Sequence, residues 1–259
     1  MDLKDIIDFS SHPINDVSYQ KTCKKLLDEK GALVLQNFLT PMTIERIKKE
    51  GEDNQYLAYY CADDHNVYLT DKDPSYPEDH PRNKLISSSK GCIQDDQIPL
   101  HSPLRTIYDA KIFRDFLCNV LGEKGLYDYA DSLSSINLHY AEEGKELGWH
   151  FDNSSFATTI LIQKPEGGGI FEYVENMRDA DNGEMNFEGV EKVLNGKTPV
   201  KTLSMPEGTL VLFRGRNAIH RVTPTIGETT RMLVVFAYNS EPGIAISPEA
   251  SMTFYGRVG

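Results

Sequence analysis

Apolar residues recur at helical spacing early in the chain. In YQKTCKKLLDEKG, Leu26 and Leu27 follow Cys23 by three and four residues, as on one face of a helix. Asp16 precedes this stretch as a candidate N-cap, since its carboxylate can accept hydrogen bonds from the free amides of the first turn. Gly31 ends the stretch, because glycine readily adopts the left-handed conformation that closes a helix. The pattern predicts a helix between these two residues.

Two further segments of the first 125 residues indicate helices. Thr40-Pro41 opens the stretch MTIERIKKEGE, and proline is favoured at the first helical position. The stretch SPLRTIYDAKIFRDFLCNVLG has helical spacing and ends at Gly122. Between the first two helices, ALVLQNF predicts a short apolar strand. Residues 63–101 contain prolines, charges and few apolar side chains, and they are predicted to form a long loop.

The pattern changes to strands after about residue 126. Six runs rich in β-branched and aromatic residues follow one another: SSINLHYA, FATTILIQ, GGIFEYV, GTLVLFRG, AIHRVTP and RMLVVFAYN. The glycines at 167–169 lack phosphate-loop spacing and predict a hairpin turn. Successive short strands without helical spacing predict a jelly roll or a related β fold. We therefore predict a single domain over 1–259, with a helical support and long loop at 1–125 and a double-stranded β-helix core at 126–259.

Composition excludes several classes of function. The chain is 39% hydrophobic and 25% charged, which is normal for a soluble globular protein. Its formal net charge of −12 argues against nucleic acid or an anionic membrane as the main partner. The first residues do not resemble a secretory signal, and no stretch approaches the roughly 20 apolar residues that cross a bilayer. The four cysteines lie far apart without a CxxC, which favours free thiols and a cytoplasmic location.

Candidate metal ligands occur in the β half. His150 and Asp152 in LGWHFDNS lie two residues apart, so on a strand both side chains project to the same face. His220 in NAIHRV follows another strand and is the third candidate. Two imidazoles and one carboxylate on one face leave coordination positions open, an arrangement that suits non-haem Fe(II) and oxygen chemistry.

Arg231 lies eleven residues beyond His220, at the start of the apolar strand RMLVVFAY. An arginine inside a β core needs an anionic partner, because a lone buried cation is costly. Its planar guanidinium group can donate two parallel hydrogen bonds to a carboxylate, so a dicarboxylate co-substrate is a natural partner. Arg214, Arg216 and Arg221 compete for this role, but they are flanked by turn residues and are expected to face solvent.

The order of HxD, GTLVLF, His220 and Arg231 resembles that of the Fe(II)/2-oxoglutarate-dependent dioxygenases, over roughly residues 126–240. The resemblance implies a jelly-roll core, with Fe(II) held by His150, Asp152 and His220. It also implies that 2-oxoglutarate chelates the iron and that its far carboxylate meets Arg231. O₂ would be consumed, with succinate and CO₂ released.

Within that superfamily, SSINLHY, GWHFDNSSF and GGIFEYV look most similar to the free-amino-acid hydroxylases and radical halogenases that act on lysine and related substrates. The halogenases replace the carboxylate ligand with Gly or Ala and so leave room for chloride. Here that position is Asp152, which predicts a hydroxylase. The expected substrate is a free amino acid, with lysine the first to test, bound under the long loop.

Several residues near these motifs have open roles. Tyr140 lies where relatives often contact the co-substrate, but a core tyrosine is equally compatible with the pattern. His139, of opposite parity, is either a core or a pocket residue. Trp149 is expected to pack. The candidate substrate contacts are Asn153, Arg82 in the long loop, His139, and the aromatic pair Phe254 and Tyr255.

Three other functions remain open from the sequence. A related dioxygenase could act on another small molecule or a peptide. A zinc hydrolase could use the same three ligands and a bound water. A cupin-like binding protein is the third alternative, although the HxH and glutamate typical of cupin sites are missing. The sequence leaves the oligomeric state undetermined.

Overall fold

Two β-sheets face each other, and helices cover the outer side of the larger sheet. The computed structural model describes residues 2–259. Within them, two short 3₁₀ turns lie at Gln55–Leu57 and Asp95–Gln97. The α-helices are α1 (Leu3–Ile6), α2 (Val17–Lys30), α3 (Pro41–Asn54), α4 (Pro103–Asp109), α5 (Lys111–Leu121), α6 (Phe187–Leu194) and α7 (Pro248–Tyr255).

The strands pair in antiparallel fashion throughout the larger and the smaller sheet. They are β1 (Ala32–Leu35), β2 (Tyr59–His65), β3 (Ile86–Ile93), β4 (Ile136–Ala141), β5 (Leu147–His150), β6 (Ala157–Gln163), β7 (Gly167–Gly168), β8 (Phe171–Val174), β9 (Lys201–Leu203), β10 (Leu210–Phe213), β11 (Ile219–Val222), β12 (Thr225–Ile226) and β13 (Arg231–Phe236). The large sheet has the order β1-β10-β6-β13-β4-β3-β2, and the small sheet has the order β5-β11-β8-β9. Strands β7 and β12 form a separate short pair. This arrangement is the predicted jelly-roll core.

The first helices begin and end where the sequence predicts. The Asp16 carboxylate accepts a hydrogen bond from the Tyr19 amide and caps α2. Gly31 closes α2 with φ 64°, in the left-handed region that glycine enters without steric cost. Helix α3 starts at Pro41, directly after Thr40. Local capping chemistry therefore determines both helices.

One hydrophobic cluster joins the helices to the large sheet. The apolar faces of α2, α4 and α5 pack on every second residue of the central strands β4 and β13. The strand residues in this cluster are Ile136, Leu138, Tyr140, Met232, Val234 and Phe236. Because side chains alternate along a strand, the intervening residues point to the opposite face, toward the small sheet. On that side Phe213 of β10 packs against Tyr173 of β8, with ring centroids 5.4 Å apart.

The prediction of one long loop over 63–101 is wrong at 63–65 and 86–93, which are strand, while residues 66–85 do form a connection without helix or strand. Strands β2 and β3 occupy part of this region, and β3 pairs with β4 through the register Cys92↔His139. The sequence of β3, ISSSKGCI, shows no apolar alternation in its serine run. Backbone pairing with the strands on both sides forms β3, and propensity alone does not reveal such pairing. The connection that remains, residues 66–85, is held by the Asn83 side chain, which bonds the backbone of Asp73 and Tyr76.

Three other details differ from the predicted pattern. The division at residue 125 does not separate helices from strands, since β1, β2 and β3 join the large sheet while α6 and α7 lie in the second part. The third predicted helix is two helices, because the backbone at Ala110 is extended. Of the glycines at 167–169, Gly167 and Gly168 form strand β7, which pairs with β12, where a hairpin turn was predicted. A Cβ on Gly168 would lie 1.8 Å from the Pro224 carbonyl oxygen, so this pairing requires glycine.

Within residues 2–259, no helix is both long enough and apolar enough to cross a membrane.

Candidate metal centre

The three predicted metal ligands meet in the space between the two sheets. His150 ends β5 and lies directly opposite His220 of β11 in the strand register. Asp152 follows His150 by two residues. One ligand atom from each of the three side chains lies within 4.8 Å of the other two. Adjacent strands of the small sheet therefore bring together residues that are 70 positions apart in sequence.

Backbone carbonyls orient both imidazoles. The His150 Nδ1 lies 2.7 Å from the Gly148 oxygen, and the His220 Nδ1 lies 3.0 Å from the Ala218 oxygen. If each Nδ1 carries the proton and donates it, each Nε2 keeps a free lone pair. The two Nε2 atoms lie 3.6 and 3.4 Å from Asp152 Oδ1. Such second bonds to the outer nitrogen are typical of metal-binding histidines, because they set the ring orientation and raise ligand basicity.

The electrostatics of this group fit a cation. Burial lowers the pKa of His150, and the neighbouring His220 lowers it further. Burial would raise the pKa of Asp152, but the neighbouring imidazoles of His220 and His150 hold it below its usual range. Burial opposes protonation of His220, yet the Asp152 carboxylate raises its pKa above the usual value. Asp152 Oδ2 is buried without a hydrogen-bond partner. A divalent metal would satisfy this oxygen together with both Nε2 atoms, and the donor set is the 2-His-1-carboxylate type.

Gly215 is a site residue that sequence reasoning missed. Its carbonyl oxygen accepts a hydrogen bond from the Asp152 amide at 3.1 Å. A Cβ at this position would lie 1.8 Å from Asp152 Oδ2 and 2.9 Å from His220 Cε1. The residue stands in FRGRN between two strands, where a glycine is ordinarily interpreted as a turn residue. Only the assembled structure shows that glycine leaves room here for two ligands.

We expect Gly215→Ala to weaken metal binding by about 10–100-fold, the range for disturbed partners of metal ligands. The added methyl group would displace the Asp152 carboxylate from the two imidazoles. Anaerobic calorimetry with Fe(II) measures the effect. Gly167→Ala is the matched control, since its Cβ would meet only the Ile226 side chain at 3.3 Å. Equal Fe(II) affinities of the two variants would contradict the assignment of this cluster as the metal centre.

Two arginines hold the backbone that carries Asp152. Arg178 lies over the Phe151 ring at 4.2 Å, and its Nη2 donates to the Asp152 carbonyl at 3.3 Å. Its Nε donates to the Arg216 carbonyl at 2.7 Å. Arg216 in turn donates to the Asn153 carbonyl at 3.0 Å. The main chain after β5 is thereby held in place beyond the last strand residue.

Arg231 is buried in the space between the sheets without an anionic partner. Arg231 is the first residue of β13 and is 5% exposed, and its Nε has no hydrogen-bond partner among the described residues. Burial lowers the pKa of its guanidinium to about 10. The residue lines a cavity of about 810 Å³ together with Leu161 and Phe171. None of the three ligands lines this cavity, but its wall residue Phe171 stacks on the His220 ring with centroids 5.4 Å apart, so the cavity lies next to the metal centre.

The competing arginines all have carboxylate partners. Arg214 pairs with Asp28 at 2.6 Å, and Arg216 pairs with Asp181 at 3.0 Å. Arg221 pairs with Glu172 at 2.7 Å. Of the four candidates, only Arg231 is both buried and unpaired among the described residues. Arg221 lies on the outer side of the small sheet, as expected, but it is only partly exposed, because its guanidinium lies 4.8 Å from the Trp149 ring. Trp149 packs there in a hydrophobic cluster, as predicted.

The prediction that Tyr140 contacts the co-substrate is wrong. Its side chain lies on the helix-covered face of β4, where its hydroxyl donates to the Gly51 carbonyl at 2.8 Å. Arg231 pairs with the next residue, Ala141, and therefore points to the other face. Alternate residues of β4 face opposite sides of the sheet, and Tyr140 is on the side away from the metal. The sequence motif alone did not determine which alternate residues face the metal.

Tyr140→Phe is consequently expected to leave the requirement for 2-oxoglutarate unchanged. It should cost about 1 kcal/mol of stability, because the Gly51 carbonyl loses its hydrogen bond. A chain of this size should then melt about 2–4 °C lower. A thermal melt and a co-substrate titration measure the two effects. A large rise in the 2-oxoglutarate requirement, with no change in the melt, would restore the original assignment.

His139 faces the space between the sheets, on the same face of β4 as Ala141. Its Nε2 lies 3.4 Å from the Lys90 Nζ. Burial, assisted by the positive charges of Lys90 and Arg231, lowers the pKa of His139 well below its usual value, so its imidazole is neutral. Of the two alternatives from the sequence, the pocket face is the one observed.

The remaining candidate substrate residues lie in different places. Asn153 is exposed directly after Asp152. Arg82 donates to the Asp71 carbonyl at 2.7 Å and so links the two ends of the 66–85 connection. Phe254 is 42% exposed on α7. Tyr255 is buried, and its hydroxyl donates to Asn137 Oδ1 at 2.8 Å.

The connection 66–85 packs beside the centre instead of over it. Tyr68 stacks on Phe151 with ring centroids 5.4 Å apart, and the Phe151 amide donates to the Val67 carbonyl. Phe151 has the opposite parity to His150 and Asp152, so this contact lies on the outer face of the small sheet. The segment supports the ligand strand from behind. The expectation that it covers the substrate receives no support from these contacts.

His65 and Ser88 are two further neighbours of the centre that the sequence did not indicate. The His65 ring lies 6.2 Å from the His150 ring, and its Nε2 is 2.6 Å from Ser88 Oγ. Ser88 Oγ also accepts from the Gly148 amide at 2.9 Å. Strand β3, which was interpreted as loop from the sequence, therefore forms one wall of the site.

A model of the family described as Halogenase D matches residues 17–251. No curated protein matches the chain by sequence. Solved structures with the same fold include a 2OG-Fe(II) oxygenase family oxidoreductase from Burkholderia pseudomallei. It has a TM-score of 0.56 and 12% identity, covering 87% of this chain and 92% of that one.

Two other solved structures show the range of chemistry found with this fold. A prolyl hydroxylase from Trichoplax adhaerens, in complex with a hypoxia inducible factor peptide, aligns with a TM-score of 0.55 at 11% identity over 88% of this chain and 92% of its own. The alpha-ketoglutarate-dependent carbocyclase SnoK from nogalamycin biosynthesis aligns with 0.58 at 11% identity over 84% and 83%. These likenesses confirm the predicted fold class. The group of His150, Asp152 and His220 is a donor set that suits Fe(II).

Proposed function

We propose that this chain, which belongs to the Halogenase D family, is an Fe(II)- and 2-oxoglutarate-dependent hydroxylase of a free amino acid. The observation that carries the proposal is the convergence of His150, Asp152 and His220 next to a cavity that the unpaired Arg231 lines together with Phe171. The first three supply a ligand set with open positions, and the fourth supplies a buried cation for a carboxylate. Bound Fe(II), 2-oxoglutarate and O₂ would supply the oxidation that places one oxygen atom on a substrate carbon, with release of succinate and CO₂.

The residues of the chain hold and orient these groups. His150 and His220 would bind the metal through Nε2, since backbone carbonyls occupy both Nδ1 atoms. Asp152 would contribute a carboxylate oxygen and one negative charge. Arg231 would pair with the distal carboxylate of 2-oxoglutarate in the cavity that it lines with Phe171. Arg231 is only 5% exposed, so water would screen this pair weakly and the attraction would be strong.

Asp152 favours hydroxylation over halogenation, despite the family description. In the halogenases that the sequence resembles, Gly or Ala replaces this carboxylate and chloride has room at the metal. Here Asp152 Oδ1 lies within 3.6 Å of both imidazole Nε2 atoms. The carboxylate fills the position that a halide would need, so hydroxyl transfer is the proposed outcome.

A zinc hydrolase would use the same three ligands, but that alternative gives no role to Arg231. A purely binding protein equally has no need of an open coordination position beside a buried cation. A peptide or another small molecule is the remaining alternative for the substrate. We propose a free polar amino acid, with lysine the first to test, on the strength of the resemblance in SSINLHY, GWHFDNSSF and GGIFEYV. Asn153, which is exposed beside Asp152, is a proposed contact for it.

The test is a screen of free amino acids with Fe(II), 2-oxoglutarate and O₂. Mass spectrometry should show a gain of one oxygen on one amino acid, with succinate formed in equal amount. The His220→Ala protein serves as the control and should form neither product. Chlorinated products in the presence of chloride, or activity on peptides but on no free amino acid, would contradict the proposal.

Two proposals concern the chain as a whole. We propose that the helices and the β core act as one domain, since a single hydrophobic cluster contains Leu27 and Phe113 together with Leu138 and Val234. We also propose a cytoplasmic location. The four cysteines are free thiols, which is typical of proteins in reducing compartments.

A further inference from the structure

We propose that Lys90 binds the carboxylate of the amino-acid substrate, at a position separate from the one that holds 2-oxoglutarate. This inference rests on the proposed function and specifies how its substrate is recognised. Lys90 lies on β3, in the region that the sequence indicated as loop. Its role would be to determine which molecules are accepted, with no part in holding the metal.

Lys90 projects into the space between the sheets. It lies two residues from Cys92, which pairs with His139, so the three side chains share one face of the large sheet. The Lys90 Nζ is 3.4 Å from His139 Nε2 and 5.6 Å from the centroid of the Phe254 ring. The neutral imidazole accepts one N–H of the ammonium group. The other N–H groups remain available for a ligand.

No carboxylate of the described residues lies within 4.0 Å of this ammonium group. The chain has 39 acidic and 27 basic residues, so anions are plentiful. Lysines on the helices α2, α3, α5 and α6 pair with neighbouring acids. Apart from the His139 imidazole and the Phe254 ring, this half-buried cation has no partner of opposite charge among the described residues. An anionic ligand would supply one.

Lys90 and Arg231 form two distinct anion positions. Arg231 pairs with Ala141 across β4, and the register Gly91↔Tyr140 places Lys90 beside the same alanine on the other side. The two cations therefore flank a small side chain, with their backbones two strand spacings apart, about 10 Å. The cavity that Arg231 lines does not include Lys90, whose Nζ lies at His139 and Phe254, so the two cations face different spaces. If 2-oxoglutarate occupies the Arg231 position, the Lys90 position remains for the substrate.

The distance to the metal centre suits a molecule of amino-acid size. Ser88 precedes Lys90 by two residues on the same face of β3, which is about 7 Å along the strand. Ser88 Oγ bonds His65, whose ring lies against His150. A carboxylate at Lys90 would thus place the carbon side chain of an amino acid within reach of the metal ligands. Phe254, exposed on α7, lies at the outer end of this position.

The experiment compares Lys90→Met, Lys90→Arg and the control Lys197→Met, which removes an exposed lysine. For the amino acid found in the screen, Lys90→Met should raise KM by about 10–100-fold, the effect of losing a hydrogen bond between charged groups. The kcat value and the KM for 2-oxoglutarate should change by less than about threefold. Lys90→Arg should restore most of the affinity, and Lys197→Met should match the wild type. Thermal melts of all variants check folding.

A second measurement uses the amide of the same amino acid, which lacks the carboxylate charge. Wild type should bind the amide more weakly than the acid in calorimetry, and Lys90→Met should bind both equally. If Lys90→Met instead raises the KM for 2-oxoglutarate, or if wild type accepts acid and amide alike, the inference is overturned while the proposed function stands. A wild-type protein that oxidises no free amino acid would overturn both.

Discussion

Replacing Asp152 with glycine is expected to lower hydroxylation by at least about 100-fold. Losing even an outer partner of a metal ligand costs about 10–100-fold, and Asp152 is a direct ligand in the proposed centre. The variant keeps both histidines and Arg231, so the metal and 2-oxoglutarate should still bind, the metal more weakly. The vacated position lies against Gly215, which has no side chain to fill it.

The products should be analysed by mass spectrometry after incubation with Fe(II), 2-oxoglutarate, the amino acid and a high concentration of chloride. We expect little hydroxylated product and no chlorinated product by default, because room for a halide does not by itself provide the surrounding contacts that orient it. Asp152→Asn keeps the shape of the side chain and removes its charge, so it separates the contribution of the charge from that of the space the side chain fills.

Asp181→Gly is the matched control for this variant. Its carboxylate is exposed and pairs with Arg216, and exposed ion pairs contribute about 0–1 kcal/mol. The control should lose less than about fivefold in rate. Near-wild-type hydroxylation by Asp152→Gly would show that Asp152 is not a ligand, and the metal centre proposed here would be wrong.

Arg231→Met is expected to raise the dissociation constant of 2-oxoglutarate by about 10²–10³-fold or more. Breaking a buried pair of charges costs about 3–5 kcal/mol, because one charge remains without compensation. Methionine preserves most of the aliphatic stem that packs against Gly169. Fe(II) affinity should change little, since the guanidinium is not a metal ligand. Anaerobic titrations of the metal and of 2-oxoglutarate measure the two constants separately.

The same substitution has a consequence for stability. Without 2-oxoglutarate the buried guanidinium has no partner and carries a desolvation cost, which also lowers its pKa to about 10. Arg231→Met should therefore melt at or above the wild-type temperature when no co-substrate is present. Added 2-oxoglutarate should raise the melting temperature of the wild type and leave that of the variant nearly unchanged.

Arg221→Met is the control for Arg231→Met. Arg221 pairs with Glu172 on the outer side of the small sheet, so its loss should not affect the co-substrate. If Arg221→Met weakens 2-oxoglutarate binding and Arg231→Met does not, the wrong arginine has been assigned.

The local elements of this protein could be predicted from short stretches of sequence. Helix α2 follows from an acid that caps its start and a glycine that ends it, and α3 follows from Thr40-Pro41. Six strands of the β half follow from apolar and β-branched runs bounded by turn residues, namely β4, β6, β8, β10, β11 and β13. Strand β3 could not be predicted, because its serine-rich sequence becomes a strand only through hydrogen bonds to β2 and β4. Nonlocal pairing of that kind leaves no periodic signal in the chain.

The sequence by itself determined which residue types could form the centre and in what order. The HxD spacing places His150 and Asp152 on one face of a strand, since side chains alternate at every residue. The tertiary structure decided which other side chains share that face. Tyr140 packs in the core under the helices, and Gly215 lies directly against Asp152. Arg231 is buried without a carboxylate partner among the described residues. Burial, strand parity and close approach depend on contacts between distant segments, and these exist only once the two sheets have packed together.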